Sequence, residues 1–188
     1  MKKQIIPKHA KQVFKGTVFD IYQWKQKMFD NSTHIFERAK KFNGVGVIAT
    51  VGNKIVILKQ KQPAIKEWFY SVAGGYLDKP GESPKAGALR ELLEETGMKP
   101  EKIKLWKEFS HGGRVTSTTY FYIAQNCKKI AAQNLDSGEK IEIKLISFEQ
   151  FLKLSDDPNF SNRDLIIEIL KARLSKKAKE DFRKLIFN

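Results

Sequence analysis

From Thr17 to Lys27 the chain alternates apolar and polar residues in TVFDIYQWKQK. STHIFERAKK, from Ser32 to Lys41, does so more loosely after the turn residues FDN. A period of two is that of a half-buried strand, so the two runs predict a hairpin. Two apolar, β-branched runs follow, GVGVIATV (44–51) and KIVILKQ (54–60), joined by the tight-turn pair Gly52-Asn53. WFYSVAGG (68–75) reads as a strand running into glycines. Ser83 then suits an N-cap, Pro84 the first helical turn and Gly97 a C-cap, which predicts a helix over Pro84–Thr96. Downstream, KIKLWKEFS (102–110), STTYFYIAQNC (117–127) and KIEIKLISF (140–148) predict strands. FEQFLKLS (148–155) and RDLIIEILKARLSKKAKEDFRKLI (163–186) predict helices. Strands, helix, strands, helix is the order of a mixed α/β or α+β sandwich rather than a regular doubly wound sheet. Residues 1–42 are expected to form an N-terminal β-hairpin subdomain whose exposed edge can pair with a second copy. Residues 43–188 form the main domain, ending in a helix.

With 188 residues, 41% hydrophobic and 30% charged, the chain can bury one substantial core but not two independent ones. The single cysteine, Cys127, excludes an internal disulfide and offers too little sulfur for a thiolate zinc site. At a strand end it is expected to be a buried, inert thiol. No apolar run suits a secretory leader or a membrane span, so a soluble cytoplasmic protein with no membrane partner is expected. The net charge of +14 favours anionic partners, whether nucleotides, nucleic acid or an acidic surface. Much of the excess sits in KKQIIPKHAKQVFK, ERAKK and KARLSKKAKEDFRK, where solvated lysine faces explain it as readily as a binding patch does. There is no RNA-binding aromatic motif, zinc-finger spacing or Gly-Lys-Ser/Thr phosphate loop.

Chemistry concentrates in GGYLDKPGESPKAGALRELLEETGM (74–98). At ~100° per residue, Glu91, Glu94 and Glu95 fall in one sector of the predicted helix, with Gly87 and Ala88 close by. Ala86, Leu89, Leu92 and Leu93 lie on the other side, where they are expected to pack on a sheet. Carboxylates at i, i+3 and i+4 repel one another. Arg90 can pair with Glu94 or Glu82, but one guanidinium cannot neutralise four acids. A hard divalent cation with oxygen ligands can. The glycines before the helix have no Cβ to keep a main-chain carbonyl from the same ion. A Glu-rich helix is ordinarily a solvated face; the glycine turn leading into Glu82, with Arg90 eight residues beyond, favours metal binding instead.

This stretch resembles the signature of the Nudix hydrolase family, G-x5-E-x7-R-E-U-x-E-E-x-G-U with U a bulky aliphatic residue, at every specified position from Glu82 to Met98. At the front, six residues rather than five separate Gly75 from Glu82, which leaves both Gly74 and Gly75 as the source of the metal-binding carbonyl. The resemblance implies a Nudix-type α/β/α sandwich with a mixed sheet and a Mg²⁺ cofactor for which Mn²⁺ can substitute. Glu91 and Glu95 are then the principal metal ligands. Glu94 shares the metal or holds Arg90, and Glu82, counted with the metal set, orients Arg90 and the helix start. The implied reaction is hydrolysis of a nucleoside diphosphate linked to a further moiety.

More weakly, over Val13–Leu152, the chain resembles the ADP-ribose and nucleoside-diphosphate-sugar pyrophosphatase branch, whose members pair as homodimers through N-terminal strands. That branch implies a water-activating glutamate in the late acidic loop: Glu139, with Asp136 and Glu142 as alternatives. Gln62 stands where the branch has an arginine and Ser71 where it has an acid. SHGGRVTS replaces a Ser-Pro-Gly loop. His111 and Arg114 of that loop are candidates for contacting phosphate or base, and Trp68 and Tyr70 for stacking on a base. The expected substrate is a small nucleoside diphosphate derivative. The alternatives are 5′-pyrophosphate removal from RNA or dinucleoside polyphosphate hydrolysis, with nucleic acid the less favoured partner. A further alternative is a catalytically silent Nudix module that binds RNA or regulates.

Overall fold

The computed structural model describes residues 6–188, so the first five residues of the expected 1–42 region lie outside the described residues. Strands β1 (Lys11–Lys15), β2 (Phe19–Lys27) and β3 (Thr33–Lys41) form an antiparallel meander. Then come β4 (Gly44–Val51), β5 (Lys54–Lys61), the short β6 (Phe69–Ser71) and helix α1 (Pro84–Thr96). After them lie β7 (Met98–Lys99), β8 (Lys102–His111), β9 (Val115–Gln125), β10 (Lys128–Lys129) and β11 (Lys140–Ile146). Helices α2 (Phe148–Lys153), α3 (Arg163–Arg173) and α4 (Lys176–Phe187) close the chain.

The main sheet runs β1-β2-β3-β9-β4-β5-β11, with β6 paired to β5 and β8 to β9. It is mixed: β9 is parallel to β4 from Gly44↔Thr119 to Ala49↔Ala124, parallel to β3 over Ala39 and Lys40, and antiparallel to β8. Successive side chains of a strand point to opposite faces. Ile48, Ile55, Ile57, Phe121 and Ile123 therefore feed one apolar layer, closed by Phe151, Leu165, Ile169 and Ile186 of the late helices. Their sequence neighbours Val47, Ala49, Val56, Leu58, Tyr122 and Ala124 feed the other, closed by Ala88 and Leu92 of α1. Near-continuous apolar runs in β4, β5 and β9 are what a strand covered on both faces requires. The result is an α/β/α sandwich with a mixed sheet.

Two expectations are corrected. The long C-terminal helix is two helices: Ser175 is extended, and its hydroxyl accepts the Ala178 N–H at 3.1 Å, capping a new start. The run WFYSVAGG pairs as a strand only over β6. Beyond it the Ala73 and Gly75 carbonyls accept the amides of Val47 and Val45 at 2.7 and 2.9 Å, carrying the glycines along the end of β4. Among the described residues, no helix is long and apolar enough to cross a membrane.

Candidate active site

Helix α1 has the predicted bounds. Ser83 accepts the Ala86 amide, Pro84 opens the helix, and Gly97 ends it with φ 69°, its N–H donating to the Leu93 carbonyl. Its packing differs from the expectation. The buried positions are Gly87, Ala88, Leu92, Glu95 and Thr96, whereas Ala86 and Leu93 are exposed. The carboxylate sector and the packing face overlap because the helix lies against the glycine turn, where a carboxylate can be buried beneath main-chain amides. Glu95 is 4% exposed, and its Oε2 accepts the Gly74 N–H at 2.7 Å.

Arg90 organises the other acids. Its Nε and Nη2 donate to the two oxygens of Glu82 at 2.8 and 3.0 Å, and its Nη1 donates to Glu91 at 2.8 Å and Glu94 at 2.9 Å. This fork geometry is what a guanidinium does and an ammonium cannot. The hydrogen bond from Arg90 lowers the carboxyl pKa of Glu82, and that bond raises Arg90's own. Burial pushes Glu91 up and Glu95 well above the usual carboxylate range; the neighbouring acids add to both.

Arg90, Glu91, Glu94 and Glu95 open on a cavity of about 810 Å³, whereas Glu82 lies behind Arg90 and outside the lining. Glu139 and Asp136 reach it from the loop before β11. Glu139 is half-buried, its Oε2 accepts the Asp136 N–H at 3.3 Å, and burial raises its pKa. The end of α1 anchors the loop: Asn134 N–H donates to the Glu94 carbonyl at 2.8 Å and Gln133 Nε2 to the Glu95 carbonyl at 2.6 Å. Helix carbonyls left without an intrahelical donor thus hold the segment that carries Glu139. Glu142, the other alternative, points away from the cavity and pairs with Lys144 and Lys59.

His111 lines the cavity, its Nε2 3.1 Å from Asp164 Oδ2. Trp68, Tyr70 and Arg114 are not among the residues that line the cavity. Alternation along β6 turns Phe69 into the cavity and its two neighbours out of it. Trp68 lies under the Lys59 ammonium, 4.5 Å from its ring centroid, and Tyr70 packs on the layer of late helices. Arg114 is exposed beyond the lining, its carbonyl accepting the Ala39 amide. Gln60, Asn162 and Asp164 also line the cavity, and Gln133 holds its loop. Only the fold brings positions 60, 133 and 162 to one place, and no local motif marked them.

The donor set suits a hard divalent cation. Among the described residues no three acids converge on one point, because Arg90 draws Glu91 and Glu94 to itself. Glu91, Glu94 and Glu95 nonetheless each keep one oxygen without a hydrogen-bond donor among the described residues, Glu94 Oε1 facing only Lys79 Nζ at 3.7 Å, whereas both oxygens of Glu82 are taken by Arg90. Buried, mutually repelling carboxylates with free oxygens are ligands for magnesium or calcium rather than for a soft metal. Cys127 is not part of the site: it is buried, with its thiol pushed up to about 11.

The NUDIX domain family model matches residues 40–166. The ADP-ribose pyrophosphatase of Bacillus subtilis (strain 168) is 30% identical over 146 residues, covering 76% of this chain and 78% of that protein. The methanol dehydrogenase activator of Bacillus methanolicus is 27% identical over 163 residues, 85% of this chain and 88% of that one. A solved structure titled "Crystal structure of ADP compounds hydrolase" superposes with a TM-score of 0.75 at 17% identity, covering 94% of this chain and 95% of that one, a likeness of fold. Helix α1, which holds the acids, and strands β4, β5 and β9, whose side chains bury it, lie inside the matched residues, and the chain belongs to the Nudix family.

Proposed function

We infer that this protein is a Mg²⁺-dependent pyrophosphohydrolase that splits ADP-ribose or a nucleotide sugar into a nucleoside monophosphate and a sugar phosphate, with Mn²⁺ able to replace Mg²⁺. The observation that carries this reading is the meeting of Glu91, Glu94, Glu95 and Glu139 on one large cavity. The similarity to an ADP-ribose pyrophosphatase supports the substrate class.

Glu91, Glu94 and Glu95 would hold the metal, which supplies positive charge against the diphosphate and a site for water. The Gly75 carbonyl already accepts the Val45 amide, so the carbonyl of Gly74 is the one we assign to the metal. Glu82, both of whose oxygens serve Arg90, orients the guanidinium that sets Glu91 and Glu94. Glu139 accepts the proton of the attacking water. Its raised pKa suits a base working nearer neutrality than a solvated glutamate does. Water adds to one phosphorus, the bridging P–O bond breaks, and both products leave bearing a phosphate.

Turnover should be measured with ADP-ribose, nucleotide sugars, dinucleoside polyphosphates and 5′-triphosphorylated RNA. ADP-ribose or a nucleotide sugar is expected to lead in kcat/KM by about tenfold or more, with activity lost in EDTA. RNA or a dinucleoside polyphosphate in the lead would replace the reading.

We also propose a homodimer formed through residues 1–42. The β1–β3 register puts Phe14, Phe19 and Ile35 on one face of the meander, all exposed, and exposed large apolar side chains on one face support a partner there. Light scattering is expected to give a mass near twice 21.6 kDa; a monomer would remove this assignment.

A further inference from the structure

In the antiparallel pairing of β5 with β11, Lys61 stands directly opposite Lys140. Directly opposed residues on one face bring their Cβ atoms to about 5 Å, and like charges there destabilise the sheet. Among the described residues no ion pair offsets the two charges. Glu142 lies two residues along the same face and is held by Lys59 at 3.6 Å and Lys144 at 2.9 Å. Neither Lys61 nor Lys140 has an ion pair among the described residues.

The two lysines line a second cavity of about 630 Å³, with Lys66 above them on the loop between β5 and β6 and Ser137 on the Glu139 loop. This groove adjoins the larger cavity: Gln62, Ile65 and Glu139 line both. Three lysines therefore line a space beside the carboxylates, with Glu139 the one acid in its lining.

We propose that this groove is an anion subsite. It would take a phosphate monoester that the substrate carries in addition to the diphosphate being cleaved. A dianionic phosphate turns the repulsion between Lys61 and Lys140 into two charge-assisted contacts and leaves the Ser137 hydroxyl and the Gln62 side-chain N–H as further donors to its oxygens. The substrate class this selects is a nucleoside diphosphate derivative with a further terminal or ribose phosphate. The assignment to a substrate rests on the pyrophosphohydrolase reading; anion binding in the groove does not.

Binding and turnover separate the two. Calorimetry without divalent metal, at low salt, compares ADP-ribose with ADP-ribose 2′-phosphate on the wild-type protein and on Lys61→Ala/Lys140→Ala. The phosphorylated ligand is expected to bind roughly tenfold more tightly to the wild type, with the ratio falling to near one in the double variant. Lys61→Arg/Lys140→Arg, which keeps both charges, is expected to restore most of it. The same ratio is read from KM with Mg²⁺. Equal affinities in the wild type, or a ratio that survives the alanine variant, overturn the subsite even if ADP-ribose is turned over. A ratio that appears in binding while neither compound is hydrolysed keeps the subsite and removes the reaction. A lysine-dependent preference for 5′-triphosphorylated RNA over both small ligands would replace this substrate class with nucleic acid.

Discussion

Glu95→Gln is expected to lower kcat by about a thousandfold or more while leaving the metal-free protein as stable as the wild type, or more so. The amide keeps the shape of the side chain and an oxygen for the Gly74 N–H, so the packing under the glycine turn survives. It removes the negative charge that makes this oxygen pair a ligand. The stability side follows from proton linkage. Burial holds the Glu95 carboxyl well above its ordinary value of 4.5, so from that pH upward the folded chain keeps a proton that the unfolded chain has released. A state that binds more protons is favoured at low pH. The contribution of Glu95 to stability is therefore full below the ordinary value and is lost as pH rises through the raised one. Glu91 and Glu139, also raised by burial, act in the same sense. Thermal melts without metal should fall as pH rises through that window, less steeply in Glu95→Gln, and added Mg²⁺ should restore the wild type alone. Turnover within tenfold of wild type would exclude Glu95 from the metal site.

Gly74→Ala is expected to cost about 3 kcal/mol or more of stability, a fall in Tm of roughly 6–12 °C for a chain of this length. Gly74 has φ 150°, where only glycine is at ease, and a Cβ built on it would lie 2.1 Å from the Val45 carbonyl oxygen. Val45 is fixed in β4 between its neighbours, so that oxygen cannot withdraw. Gly75→Ala makes an instructive contrast. Its Cβ would meet Glu91 Oε1 at 2.6 Å, the far end of a side chain that can turn away. There the expected loss falls on kcat more than on stability. Urea unfolding and initial rates on both variants separate the two cases. A Gly74→Ala protein as stable as wild type would contradict the close approach of the two segments.

The helix was legible to the residue because its ends are written in local chemistry: a hydroxyl that accepts an N–H, a proline that needs none, and a glycine at positive φ. The strands that are covered on both faces were legible from their apolar runs. The helix break at Ser175 was not, since Leu165, Ile169 and Ala172 hand on to Phe182 and Ile186 with no glycine or proline between them. The burial of Glu95 was hidden for a different reason. A helical wheel knows angle alone, and the glycine turn that solvates this carboxylate lies 21 residues upstream. Of the aromatic run, alternation could say that one member differs from its neighbours, but only the sheet says which side faces the cavity.

The turn after Gly75 holds one residue more than the Nudix pattern has, and the manner in which it is accommodated bears on how such a site tolerates change in length. Leu77 is fixed at one end, its amide on the Asn43 carbonyl and its side chain against Gly87, and Glu82 is fixed at the other by Arg90. The residues between them are surface-exposed, with Gly81 at φ 75° in open space. Lengthening a solvated loop between two pinned ends costs little. The acids therefore keep their places while the spacing drifts. A pattern search that insists on a five-residue gap would pass over this chain, although nothing chemical has moved.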